Sequence, residues 1–184
     1  MDSAVARERA LDAAEELFYA RGIQAVGMDA VRAASGVSLK RLYQLFPAKE
    51  ALVEAYLLRR DVRWRQRLAD RVDRHQDPRE RILAVYDRLH EWFSEPGFHG
   101  CAWINSFGEL GATSPRVAEL ARAHKQAVRD YLRTLVSDAG LPADTADPLH
   151  LLAEGAMTTA AIFGSPEPAL QAKKAAARLL DAAR

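Results

Sequence analysis

Two short stretches of helical character, about Met28 to Ala34 and Ser38 to Phe46, are separated only by the tight turn Ser35-Gly36-Val37. Three residues leave the chain almost no freedom, so the two helices must cross at once. Gly36 at the centre fits a turn that needs positive φ. The helix Ser3 to Ala20 precedes them, with Ala10, Leu11, Ala14, Leu17 and Phe18 on one apolar stripe. Arg21-Gly22 ends that helix, Gly22 being suited to a left-handed cap. Three helices in 46 residues with this turn have the helix-turn-helix layout. Val31, Val37, Leu42 and Phe46 are expected to pack against Leu17 and Phe18.

The outer side of the third helix is then left with Lys40, Arg41, Tyr43 and Gln44, and Ser38 is a good N-cap for it. Between Asp29 and Glu50 the only charged residues are Arg32, Lys40, Arg41 and Lys49. Such a face suits the major groove of DNA, into which an α-helix fits. Arg41 can donate two hydrogen bonds to guanine, and Gln44 can pair with adenine. Tyr43 and Lys40 can reach phosphates. Lys49 starts the next helix, where free N–H groups also favour a phosphate. An isolated Lys or Arg on a helix face is also compatible with simple solvation.

The remaining chain reads as helix throughout. Alanine, leucine and arginine dominate, β-branched residues are sparse, and no stretch alternates with period two. A long helix runs from Lys49 to about Arg74 and carries a second basic cluster, Arg59, Arg60, Arg63, Arg65, Arg67 and Arg71. Asp77-Pro78-Arg79-Glu80 is a strong helix start, followed by Ile82, Val85, Tyr86, Leu89 and Phe93 on one face. Further helices are expected over Cys101 to Leu110, Ser114 to Gly140, Thr145 to Phe163 and Glu167 to Ala183. The total is about nine, in an all-α fold.

Composition excludes several classes. With 184 residues, 49% of them hydrophobic, and a net charge of +1, the chain is neither disordered nor uniformly basic. Cys101 alone cannot make a disulfide framework. The charged N-terminus lacks the apolar stretch of a signal peptide, and no apolar run is long enough to span a membrane, so a cytoplasmic protein is expected. The five histidines show no zinc-type spacing. Neither a nucleophile elbow nor a Gly-rich phosphate loop occurs, so no catalysis and no cofactor are expected.

The run Arg9-Ala10-Leu11-Asp12-Ala13-Ala14-Glu15-Glu16-Leu17-Phe18 through Gly22, then Ala34-Ser35-Gly36-Val37-Ser38, Leu42-Tyr43, Phe46 and Lys49-Glu50-Ala51-Leu52, resembles the DNA-binding domain of the TetR family of bacterial transcriptional regulators. The likeness covers about residues 5 to 55 without a gap. It implies a helix-turn-helix DNA-binding domain over residues 1–48, with Met28, Arg32, Ser38, Leu39, Lys40, Arg41, Tyr43, Gln44 and Lys49 as candidate DNA contacts. Some positions depart from the family pattern. Gly27 stands where a Ser or Thr often caps the second helix, and Arg32 where a small residue is usual. Lys40-Arg41 makes the third helix more basic, Leu45 replaces a polar ring, and Ala48 lacks a capping hydroxyl.

For residues 49–184 the resemblance implies a helical effector-binding and dimerisation domain. Small residues on the last two helices, Ala153, Gly155, Ala156, Ala160 and Ala161 with Ala172, Ala175, Ala176, Leu179 and Ala183, are compatible with a four-helix bundle between two protomers. Candidate pocket residues for a small-molecule effector are Trp64, Tyr86, His90, Phe93, Cys101, Trp103, Ile104, Phe107, His124 and Met157. The stretch Gly100 to Asn105 resembles the corresponding helix of one subgroup. Cys101 is expected to be a buried structural residue. The expected function is a ligand-responsive repressor acting as a homodimer on a pseudo-palindromic double-stranded DNA operator, with activation as the open alternative. A helical adaptor without DNA binding is the competing class, and the acid-free basic stretch argues against it.

Overall fold

The computed structural model describes residues 2–183. Among them are nine α-helices and no strand: α1 Ser3–Arg21, α2 Met28–Ser35, α3 Leu39–Leu45, α4 Lys49–Val72, α5 Pro78–Phe93, α6 Ala102–Leu110, α7 Pro115–Asp138, α8 Ala146–Phe163 and α9 Glu167–Ala182. A short 3-10 turn, Ala143–Thr145, precedes α8. No helix among the described residues is long and apolar enough to cross a membrane.

The chain forms two compact units. One comprises the chain up to Asp61 together with Ala102–Arg122; the other comprises Val62–Cys101 and the chain from Ala123 onward.

In the first unit α1 packs on α2 and α3. Ala10, Leu11, Ala14 and Phe18 are buried as the stripe predicts, while Leu17 is partly exposed. Val31, Val37, Leu42 and Phe46 are all buried. Phe18 meets Tyr56 of α4 edge-on, with ring centroids 5.7 Å apart. Gly36 has φ 67°, ψ 13°, the left-handed conformation expected for the turn, and its N–H caps α2 at the Arg32 carbonyl. Gly22 differs from the expected left-handed cap: its φ is 84° but its ψ is 150°.

In the second unit α5, α8 and α9 pack on one another. Asp77 caps α5 by accepting from the N–H groups of Arg79 and Glu80, each at 2.9 Å. Ile82, Val85, Tyr86, Leu89 and Phe93 are all buried. The Tyr86 hydroxyl donates to the Leu149 carbonyl at 2.8 Å, and burial pushes its pKa well above the ordinary tyrosine range. The small residues of α8 and α9 divide in a way their spacing did not reveal. Ala153, Ala156, Ala160, Ala172 and Ala176 are buried within the protomer, while Gly155 and Ala161 are exposed.

Candidate nucleic-acid interface

The third helix owes its position to its ends and its single buried anchor. Ser38 caps it, its Oγ accepting from the Arg41 N–H at 3.3 Å, and Phe46 closes it by donating to the Leu42 carbonyl. Leu42 is fully buried. Seven residues give two turns, so anchoring Leu42 inward leaves most of the helix to solvent. Lys40, Tyr43 and Gln44 are exposed; Leu39 and Arg41 are partly so. The Arg41 guanidinium donates to Gln44 Oε1 at 3.1 Å, so these two side chains form a pair on the helix surface.

The second helix turns one of its two candidate side chains inward. Gly27 is its N-cap and provides no side-chain bond. The Met28 side chain is buried, so what α2 offers at that point is its backbone N–H. Arg32 is exposed and paired with Asp29 at 3.1 Å. Lys49 is partly exposed, and its ammonium donates to the Ile23 carbonyl at 2.5 Å.

At least three of the six arginines of the second basic cluster are held by carboxylates. Arg59 reaches Glu8, Asp12 and Glu15 of α1 at 3.1, 2.9 and 2.9 Å, and Arg60 reaches Glu15 at 3.0 Å while lying 4.0 Å from the centre of the Tyr19 ring. Arg71 is bound to Asp87 and Glu91. Residue counting cannot show this, because the acids that neutralise these arginines lie in other helices.

The sequence pattern of the family described as "Bacterial regulatory proteins, tetR family" matches residues 10–56, the segment that holds the later part of α1, all of α2 and α3, and the start of α4. A putative TetR transcriptional regulator from Streptomyces avermitilis has the same fold, with a TM-score of 0.82 and 32% identity over 97% of this chain and 97% of that one. This chain belongs to the TetR family. An uncharacterized HTH-type transcriptional regulator of Mycobacterium tuberculosis is 32% identical over 125 residues, 65% of this chain. The transcriptional activator FasR of Mycolicibacterium smegmatis is 34% identical over 145 residues, 76% of this chain. The matches span 61% and 63% of those two proteins' own lengths.

The pocket residues that TetR membership suggests fall in both units. In the second unit, Trp64 meets Trp92 and His124 edge-on at 5.6 and 5.3 Å, and Phe98 contacts Trp92 and Phe93 at 5.2 and 4.9 Å. Tyr86, Cys101 and Met157 are buried and His90 is partly exposed. Cys101 Sγ accepts from Lys125 Nζ at 3.3 Å, and Lys125 also pairs with Glu154 at 2.5 Å. In the first unit, Trp103 is buried while Ile104 and Phe107 are exposed. A cavity of about 680 Å³ in the first unit has Ile23, Pro47, Lys49, Val53, Leu110 and Arg116 among its walls, and one of about 250 Å³ in the second has Val62, Leu68, Val128 and Tyr131. None of the ten suggested residues lines either of these. No group of three or more metal-ligating side chains occurs among the described residues.

Proposed function

We propose that this TetR-family regulator is a ligand-responsive repressor that works in the cytoplasm and binds a pseudo-palindromic DNA operator as a homodimer. The observation that carries this reading is α3, capped, anchored by one buried leucine, and turned outward with Lys40, Arg41, Tyr43 and Gln44. Residues 1–48 are the DNA-binding domain and 49–184 the effector-binding and dimerisation domain. Arg41 and Gln44 read base edges from the major groove. Lys40, Tyr43, Ser38 and Lys49 take phosphates, and the N-terminus of α2 at Met28 offers a further backbone donor. Arg32 joins them by exchanging Asp29 for a phosphate, and Leu39 packs against the sugar–phosphate edge.

A two-fold dimer matches two half-sites, because each protomer supplies one reading helix. Support for it comes from the outer surface of α8, where Leu151, Ile162 and Phe163 are 69%, 74% and 75% exposed. Large apolar side chains this open favour a partner surface. The effector contacts Trp64, Tyr86, His90, Phe93, Cys101, His124 and Met157 of the second unit. It binds best to a conformation whose reading helices are wrongly spaced for DNA, and so shifts the population away from the operator. Helix α4, with residues 49–61 in one unit and 62–72 in the other, is the lever.

The test is fluorescence anisotropy of DNA from upstream of the chain's own gene, titrated at several salt concentrations. Binding that weakens steeply with salt supports the reading, and salt-independent or absent binding contradicts it. Activation is the second reading, favoured by the likeness to FasR. Deleting the gene separates them: repression predicts increased expression of the neighbouring transcript, activation predicts its loss.

A further inference from the structure

The turn that follows α1 is held by a side chain from far along the sequence. Glu109, one residue before the end of α6, accepts from the Ile23 N–H through Oε1 at 3.0 Å and from the Gln24 N–H through Oε2 at 2.8 Å. Gln24 answers with its own side chain, Nε2 donating to the Glu109 carbonyl at 2.6 Å. That carbonyl is one of the last four of α6, which have no partner within the helix. Two turn donors and one helix-end acceptor are thus satisfied together, 85 or 86 residues apart in the chain.

Gly22 completes the arrangement. At φ 84°, ψ 150° it occupies backbone space essentially closed to other residues. A Cβ built there would stand 3.1 Å from Glu109 Oε2. A side chain there would press on the carboxylate, which would have to give by a few tenths of an ångström.

The same turn holds Lys49. The Ile23 peptide hands its N–H to Glu109 and takes the Lys49 ammonium on its carbonyl. Lys49 is the first residue of α4, beside N–H groups without helical partners. A continuous path of polar contacts, all within the first unit, runs from Glu109 through Ile23 to Lys49.

We infer that Glu109 is a positioning residue for DNA binding, acting through the Ile23 turn to hold the Lys49 ammonium where a phosphate is met. A long lysine side chain that is already ordered loses less conformational freedom on binding than a free one. Without the carboxylate, the Ile23 and Gln24 N–H groups turn to water, the Ile23 carbonyl is no longer fixed, and the Lys49 ammonium meets its phosphate in only a fraction of the bound complexes. The inference rests on the proposed phosphate role of Lys49.

The experiment measures binding of the full chain to a fluorescein-labelled duplex of mixed sequence, across a range of salt, for wild type, Lys49→Ala, Glu109→Gln and the double variant. Glutamine preserves shape but keeps one acceptor and faces the second N–H with a donor. Lys49→Ala is expected to weaken binding and to lower the salt slope by about one. Glu109→Gln is expected to weaken binding several-fold and lower the slope in the same direction, and the double variant to be no weaker than Lys49→Ala alone. Gly22→Ala, which displaces the same carboxylate from the other side, is expected to behave like Glu109→Gln; melting curves establish that each variant is folded. A salt slope is a readout that a general loss of packing leaves alone. Wild-type affinity and slope in Glu109→Gln, or losses that simply multiply in the double variant, overturn this inference alone. No effect of Lys49→Ala overturns the phosphate role of Lys49, and the inference with it.

Discussion

Arg41 Nη1 donates to Gln44 Oε1 across 3.1 Å, one turn along the outer face of α3. The bond takes one of the two lone pairs of the glutamine's acceptor oxygen and turns that oxygen toward Arg41. Pairing with adenine needs both that acceptor and the amide donor, whereas guanine presents two acceptors. While the pair is intact, Arg41 and Gln44 present mainly donors, which favours guanine at the positions they meet. Arg41→Ala is expected to lose about 1–3 kcal/mol of discrimination at one position in each half-site and to release Gln44 toward adenine there. Binding to operators carrying single base changes measures this. Equal losses on every duplex contradict the base-reading role of Arg41.

Phe163 ends α8 and is three-quarters exposed, so its side chain contributes little to the protomer core. Phe163→Glu is expected to leave the melting temperature of the protomer nearly unchanged. It is expected to shift the mass seen by light scattering from twice the chain mass toward the chain mass, at concentrations where wild type is dimeric. An unchanged mass removes this end of α8 from the dimer contact.

The nine helices and the turn at Gly36 are legible because they rest on local rules. Apolar spacing, an N-cap acid with proline after it at Asp77, and a glycine where φ is positive all act within a few residues. The partners of charged residues are not local. Nothing near Arg59 announces Glu8, Asp12 and Glu15, and nothing near Ile23 announces Glu109. Apolar patterning likewise marks Met28 as a helix-face residue without showing which way it faces, and its side chain is inside. The small residues of α8 and α9 illustrate the same limit. Spacing makes close helix approach possible, and the protomer's own packing already buries Ala153, Ala160 and Ala176. Rings such as Trp64, Phe93 and His124 carry one further ambiguity, since a core ring and a pocket wall have the same periodicity.

His150 on α8 supplies a pH dependence. Burial lowers its pKa below the ordinary 6.5, with Lys125 and Arg129 acting in the same direction and Glu154 and Asp147 opposing them. Its Nε2 lies 3.5 Å from Glu154 Oε1 without an aligned hydrogen bond. The unfolded chain therefore takes up a proton at this residue at higher pH than the folded chain does. The contribution is favourable above pH 6.5 and is lost as pH falls from there through the lower folded value. Urea unfolding across this range is expected to show a shallower acid loss for His150→Gln than for wild type. Parallel profiles contradict the assignment.

Selection of DNA by the full chain from a random-sequence library tests the central claim, that α3 reads the major groove in duplicate. The expected result is convergence on an inverted repeat whose half-sites lie about one helical turn, roughly 10 base pairs, or a multiple of it apart. The same selection with Arg41→Ala is expected to lose its preference at one symmetric pair of positions. Failure to enrich any sequence, or enrichment of an unpaired site that Arg41→Ala leaves unaltered, contradicts the account.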